Sequence, residues 1–153
     1  MSELDAFKVD LFELSLEVIK VAQEMPEHRY TNTDAADPED SGCSYSHEDG
    51  TGCIVGTAMR RLGKPVLKRS EANKLDYMDE RRRLMNAYVS HSAWAYILDG
   101  DKESDDYIAV YAWLMRAQSK QDDRVAWKVA IETADAEHPR GAQILRNMMQ
   151  DAS

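Results

Sequence analysis

Two cysteines and a histidine, Cys43, His47 and Cys53, lie in one short segment of this sequence, and residues of these types can bind a metal or carry out redox chemistry. A structural zinc site needs four ligands, and the chain has no Cys-x2-Cys or His-x3-His pair to supply the fourth. The alternatives are a disulfide across a turn and two reduced thiols that are buried and fix the turn to the core. We expect the buried, reduced thiols, with no bound metal and no other cofactor.

Cys53 could also act as a nucleophile, because it follows Gly-Thr-Gly at the predicted start of a helix. The positive end of a helix dipole lowers the pKa of a thiol, and His47 or His91 could then serve as the base. No residue is evident that would orient such a histidine, and the neighbouring Ile54 and Val55 favour burial of the thiol. A redox or enzymatic site at Cys53 is therefore the weaker hypothesis, and we expect no catalytic residue.

A third feature is a basic window from Arg60 to Arg83, which holds nine Lys or Arg and four acids in a chain of net charge −9. The window carries +5, so the remainder of the chain carries −14. This separation of charge can steer a charged partner, or the two zones can face each other within the fold. The candidate partner-binding residues are Arg60, Arg61, Lys68, Arg69, Arg81, Arg82 and Arg83.

These residues must be positioned by residues 41–63, which we interpret as a hairpin that leads into a short helix. Thr51 or Gly52 is predicted to cap the helix, and Gly63 is predicted to end it. The apolar stripe that marks the buried face of this helix comprises Ile54, Val55, Ala58 and Leu62.

Upstream, apolar residues at spacings of three and four predict one long helix from Ser2 to Pro26. Residues 27–40 are predicted to form an exposed acidic loop in which Tyr30 is the anchor to the core. Residues 64–78 are expected to form a basic connector, and 79–98 are predicted to form a further helix on which His91 has a structural role.

Downstream, Ser104 is predicted to cap a helix with Asp105 and Asp106 in its first turn. Because this helix is apolar on most sides, Ile108 included, we expect it at the buried centre of a bundle. Asp122 or Asp123 is predicted to cap the following helix. His138-Pro139 ends that helix, and 141–150 form the last one.

The sum of these elements is a mainly α fold, a single-domain bundle of four to six helices with one small β-hairpin that spans residues 1–153. Hydrophobic residues make up 43% of the chain and charged residues 31%, which is ordinary for a globular protein. No apolar run approaches the ~20 residues that cross a bilayer, and the acidic N-terminus does not resemble a signal peptide. We expect a cytoplasmic protein with no membrane partner.

Two segments of the chain carry a resemblance. The first is Cys43-x9-Cys53-Ile-Val-Gly-x-Ala-x-x-Arg-Leu-Gly, and the second is Ala117-Gln118-x-x-Gln121-Asp122, followed by Trp127 and Val129-Ala130. In this order they resemble segments of an uncharacterised family of small proteins from actinobacteria and their phages. The family has no assigned activity, so the resemblance implies a provenance and no mechanism. Family members often have glycine where this chain has Arg124, which implies a different turn there.

The sequence thus favours a small non-enzymatic protein-interaction module, an accessory protein of a phage or prophage that binds a host protein. It would act in the host cytoplasm if it is phage-encoded. The partner is expected to be a host protein or a second copy of this chain. A nucleic-acid-associated regulator that uses the basic window 60–83 is the alternative, although the acidic remainder of the chain opposes binding to nucleic acid.

Overall fold

The computed structural model describes residues 8–30, 53–64 and 98–151. These ranges contain five helices and two short strands: β1 (Val9–Asp10), α1 (Leu11–Glu24), α2 (Ile54–Arg61), β2 (Leu98–Asp99), α3 (Asp105–Gln121), α4 (Trp127–Glu137) and α5 (Pro139–Asp151). The predicted mainly α fold is confirmed. The predicted hairpin before Cys53, most of the basic connector and the predicted helix up to residue 97 lie outside the described residues. None of the helices in the described ranges has the length and apolarity needed to cross a membrane.

The two strands form a small parallel sheet that the sequence analysis did not predict. Val9 lies opposite Leu98, and Asp10 lies opposite Asp99. The predictions that Val9 and Leu98 belong to helices are wrong, because both residues lie in paired strands. Both side chains are buried, as expected of apolar residues. Asp10 also begins α1, since its carboxylate accepts a hydrogen bond from the backbone N–H of Glu13 at 2.9 Å. An N-cap residue has an extended backbone, so the last residue of a strand can serve as the cap.

The predicted N-cap of α3 is confirmed, whereas those of α2 and α4 are wrong. Ser104 caps α3 by accepting a hydrogen bond from Tyr107 N–H at 3.0 Å. The cap of α2 is Cys53, not Thr51 or Gly52. The cap of α4 is Ala126, which makes no side-chain capping bond.

The start of α4 is completed by the loop that follows α1. Trp127 N–H donates to His28 O at 2.8 Å, and Lys128 N–H donates to Pro26 O at 3.0 Å. These carbonyls satisfy two of the N–H groups that every helix leaves without a partner in its first turn. The predicted capping residues Asp122 and Asp123 belong instead to the turn that ends α3.

The core lies between α3 and the helices packed on it, namely α1, α4 and α5. Trp113 on α3 and Trp127 on α4 are among the largest fully buried side chains, and Tyr30 is 2% exposed, so its predicted role as an anchor is confirmed. Gly141 allows α5 to approach α3 closely, because a Cβ at this position would lie 2.5 Å from the carbonyl oxygen of Ala109. The helix packing therefore requires a residue without a side chain at this crossing.

Candidate functional site

Cys53, the candidate nucleophile or zinc ligand that lies within the described ranges, is a free thiol with no exposed surface. Its sulfur accepts a hydrogen bond from Gly56 N–H at 3.5 Å, and its carbonyl oxygen accepts from Thr57 Oγ1 at 2.9 Å. An attacking thiolate must reach its substrate, and this sulfur lies inside the core at the start of α2. The arrangement favours a capping role for Cys53.

Cys43 and His47, the other two candidates of that segment, lie outside the described residues. Among the residues that the structure does describe, no three His, Cys, Asp or Glu side chains are close enough to hold a metal ion. The absence of zinc from the segment of Cys43, His47 and Cys53 stays a prediction.

The start of α2 meets the end of α3 in a buried polar junction. Gln121 Oε1 accepts a hydrogen bond from Ile54 N–H at 3.0 Å. The amide nitrogens of Gln121 and Gln118 both donate to Asp122 Oδ1, at 2.9 and 3.2 Å. Both glutamines are fully buried. The junction thus connects the start of α2 at Ile54 with Gln118, Gln121 and Asp122 at the end of α3.

Sequence reasoning missed this junction, because Gln121 accepts a hydrogen bond from Ile54, the first residue of α2, which lies 67 positions earlier in the chain. The one available signal was two glutamines placed three residues apart on an otherwise apolar helix face. A buried glutamine needs partners for its amide, so such a pair points to a polar contact inside the core.

The turn after α3 is held by Arg124, which has a φ of +66°. Its guanidinium lies 4.9 Å from the centre of the Tyr30 ring, and its carbonyl oxygen accepts from Arg29 at 2.9 Å. Positive φ is the region that glycine adopts freely. Arg124 therefore adopts a backbone conformation that glycine would adopt at a lower cost.

Of the candidate partner-binding residues, Arg60 and Arg61 are described and the other five, Lys68, Arg69, Arg81, Arg82 and Arg83, lie outside the described ranges. Arg61 joins α2 to α1: its guanidinium binds both carboxylate oxygens of Glu24, and its Nε lies 3.0 Å from Glu17 Oε1. The hydrogen bond from Arg61 lowers the pKa of Glu24 below its ordinary value of 4.5, and the contact with Glu24 raises the pKa of Arg61. Arg61 thus lies against acidic residues of its own chain.

A groove of about 220 Å³ opens beside the first turns of α3, and the described residues that line it are Lys102, Tyr107, Ile108 and Tyr111. Ile108 is 56% exposed, so the prediction that it lies in the core is wrong. The two tyrosine rings are stacked with their centres 6.3 Å apart, and burial raises the pKa of both phenols. Because α3 is apolar on most sides, the elements packed on it do not cover all of its apolar surface. Ile108 belongs to the part that stays exposed, and it lines this groove.

A second groove of about 270 Å³ lies between α1, α4 and α5, over a floor that includes Ile19 and Ile131. Three of its charged lining residues form ion pairs: Lys128 with Glu27, and Asp135 with Arg146. Asp135 accepts hydrogen bonds from Trp113 Nε1 and from Arg146, each at 2.8 Å. These bonds connect α3, α4 and α5.

Comparison of the chain with family models, with curated proteins and with solved structures gives no match. The candidate functions are therefore compared by how well each agrees with the contacts, burial and charge of the described residues.

Proposed function

We propose that this protein is a small, non-enzymatic protein-interaction module. The observation that supports this function is the exposure of Ile108 in a groove with two tyrosines. A large apolar side chain at a concave, partly aromatic surface is typical of the sites where proteins anchor their partners.

We further propose that it is an accessory protein of a phage or prophage and that it binds a host protein in the cytoplasm. This part of the proposal rests on the sequence resemblance to small proteins of actinobacteria and their phages. An actinobacterial lysate is accordingly the material in which to search for the partner.

The competing functions agree less well with the described residues. A nucleophilic or redox-active Cys53 would need access to its sulfur, and the side chain is fully buried. A nucleic-acid-binding window would need its arginines available for phosphates, and Arg61 is held by Glu17 and Glu24.

The test compares capture of lysate proteins by the wild type and by an Ile108→Ser variant, quantified by mass spectrometry. We expect at least one host protein whose capture falls about tenfold with Ile108→Ser, because removing an anchor side chain costs more than ~1 kcal/mol of binding energy. The complex is then rebuilt from purified components and its affinity measured.

The matched control is Met25→Ser. Met25 is the other large hydrophobic side chain that is exposed in the described ranges, at 37%, and it lies at the end of α1. Capture should be unchanged by this variant. Equal capture by the wild type and by Ile108→Ser, with both proteins folded, would contradict the proposed function.

A further inference from the structure

We infer that the groove lined by Tyr107, Ile108 and Tyr111 binds a cationic amphipathic segment of the partner protein. An apolar side chain of that segment would lie against Ile108, and its Lys or Arg side chains would face the carboxylates around the groove. The inference rests on the proposed function and specifies the chemistry of the partner.

The groove is a preformed surface. Tyr107 is 5% exposed, and its ring is packed so closely on the backbone of Gly100 that a Cβ there would lie 2.7 Å from the ring atom Cε2. Tyr111 stacks on the same ring with an angle of 12° between the two planes. A wall that is already ordered costs little further entropy when a ligand binds, so the groove suits an apolar anchor.

The surroundings of the groove are acidic. The stretch 99–106 has five carboxylates and a single cation, Lys102, whose side chain lines the groove itself. We call these five exposed carboxylates the acidic rim: Asp99, Asp101, Glu103, Asp105 and Asp106. Burial raises the pKa of Tyr107, and Tyr111, Asp10 and Asp99 add to this shift, so two carboxylates lie near this wall of the groove.

The acidic rim determines which occupant fits. Nucleic acids and anionic membrane surfaces would be repelled, whereas Lys and Arg side chains would be attracted and steered towards the groove. One rim residue, Asp106, is paired with Arg140 at 3.1 Å, and both side chains are more than half exposed. A pair of this kind is weak, so a cation from a partner can replace Arg140. A second copy of this chain would bring its own acidic rim against the first and is disfavoured.

The test uses two synthetic peptides of equal length. One is an amphipathic helix of Leu and Lys, and the other has Glu in place of every Lys. Each is titrated into the full-length, isotope-labelled protein, and binding is followed by NMR chemical shifts. We expect the Leu/Lys peptide to shift the signals of Ile108 and Tyr111 and the Leu/Glu peptide to shift neither.

Variants separate the apolar anchor from the charge. Ile108→Ser should weaken binding of the Leu/Lys peptide about tenfold at unchanged net charge. Asp101→Asn combined with Glu103→Gln should weaken it several-fold at low salt and much less at high salt, where surface charges are screened. The matched control, Asp123→Asn combined with Glu132→Gln, removes the same charge at the far end of α3 and on α4, and it should leave the affinity unchanged.

Four results would overturn the inference. The first three are equal binding of the two peptides, no binding at all, and signal shifts that the Leu/Lys peptide causes over the whole acidic surface and that Ile108→Ser leaves unchanged. A groove that accepts the peptide only after Arg81→Glu with Arg82→Glu would mean that the basic window of this chain occupies it, which also overturns the inference. A host protein captured through Ile108 would leave the proposed function standing in each of these cases.

Discussion

At the scale of single residues, two serines of the described helices differ in what their hydroxyls do. Ser104 Oγ accepts the capping hydrogen bond of α3, whereas Ser15 Oγ is buried in α1 with no hydrogen-bond partner in the described part of the chain. A buried polar group without a partner has lost its hydrogen bonds to water and has formed none within the protein. Serine is also a poorer helix former than alanine. We therefore expect Ser15→Ala to stabilise the protein by about 1 kcal/mol.

The matched variant is Ser104→Ala, which should destabilise the protein by about 1 kcal/mol through loss of the cap. Urea denaturation of the two variants and the wild type measures both effects. A loss of stability in Ser15→Ala would mean that its hydroxyl has a partner inside the fold.

Arg124 offers a second test at this scale, since its backbone and its side chain act in opposite directions. The φ of +66° costs about 1 kcal/mol for a residue with a Cβ, whereas the guanidinium gains a contact with the Tyr30 ring. Arg124→Ala loses the contact and keeps the strain, whereas Arg124→Gly loses the contact and relieves it. We expect the glycine variant to be more stable than the alanine variant by about 1 kcal/mol in the same denaturation experiment.

Equal stability of the two Arg124 variants would contradict the left-handed conformation of this residue. The bond from Arg29 to the carbonyl oxygen of Arg124 involves the backbone, so it is available in both variants and does not bias the comparison.

At the scale of elements, the contact between α2 and α3 depends on Gln121. Replacing it by Leu leaves the buried N–H of Ile54 without its acceptor, which costs about 1–3 kcal/mol. We expect Gln121→Leu to lower the urea midpoint accordingly. The control is Gln143→Leu, since Gln143 is exposed on α5 and bonds only the neighbouring side chain of Asn147 among the described residues, so its loss should cost less than ~0.5 kcal/mol. Similar losses in both variants would mean that Gln121 contributes nothing specific.

The contact between α1 and α2 predicts a pH dependence through Glu24 and Arg61. The pKa of Glu24 is lowered in the folded protein by its hydrogen bond with Arg61, so this carboxylate stabilises the fold above its ordinary pKa of 4.5. The contribution is lost as the pH falls below 4.5 and through the lowered value. Glu24 is more than half exposed, so the effect is small and sensitive to salt.

Melting temperatures of the wild type and of Glu24→Gln, measured as a function of pH, test this linkage. The wild type should be slightly more stable above pH 4.5, and the two curves should converge in acid. High salt should reduce the difference, because the Debye length falls to about 3 Å at 1 M. A constant difference across the pH range would show that the two helices are not linked by this charge.

The helix ends also show how much of the fold was predictable from the sequence. The N-cap of α3 is a local signal, since Ser104 bonds a residue three positions away, and it was predicted correctly. The N-terminus of α2 depends on Gln121, and that of α4 on the carbonyls of His28 and Pro26. The pairing of Val9 with Leu98 likewise joins distant parts of the chain. No local pattern encodes such contacts.

The candidate site was predictable to a lesser degree. The periodicity of α3 indicates which residues are apolar, but not how much of the helix its neighbours cover. Ile108 was therefore placed in the core, although it is 56% exposed. For Arg61 the sequence left two roles open, contact with a partner or with acidic residues of its own chain, and only the fold brings Glu17 and Glu24 to it.

At the scale of the whole molecule, the distribution of charge bears on nucleic-acid binding. The net charge is −9, and Arg61, one cation of the basic window, is held by two carboxylates of α1. A phosphate that approaches the window is repelled by the acidic remainder over a Debye length of about 10 Å at 0.1 M salt. It must also compete with Glu17 and Glu24 for Arg61. We therefore expect no measurable binding to duplex DNA or to RNA at physiological salt.

Fluorescence anisotropy with labelled DNA and RNA, repeated over a range of salt, measures this directly. Each phosphate neutralised in duplex DNA steepens the dependence of log K on log salt by about 0.9, so a window that made five such contacts would lose affinity by orders of magnitude across an ordinary salt range. Weak binding at low salt also agrees with the expectation, provided that log K falls with log salt less steeply than one phosphate contact would produce. Micromolar binding at physiological salt that is abolished by Arg81→Glu with Arg82→Glu would make the nucleic-acid-associated regulator the better description. In that case the groove beside Ile108, with the acidic rim next to it, would lie on a face turned away from the nucleic acid.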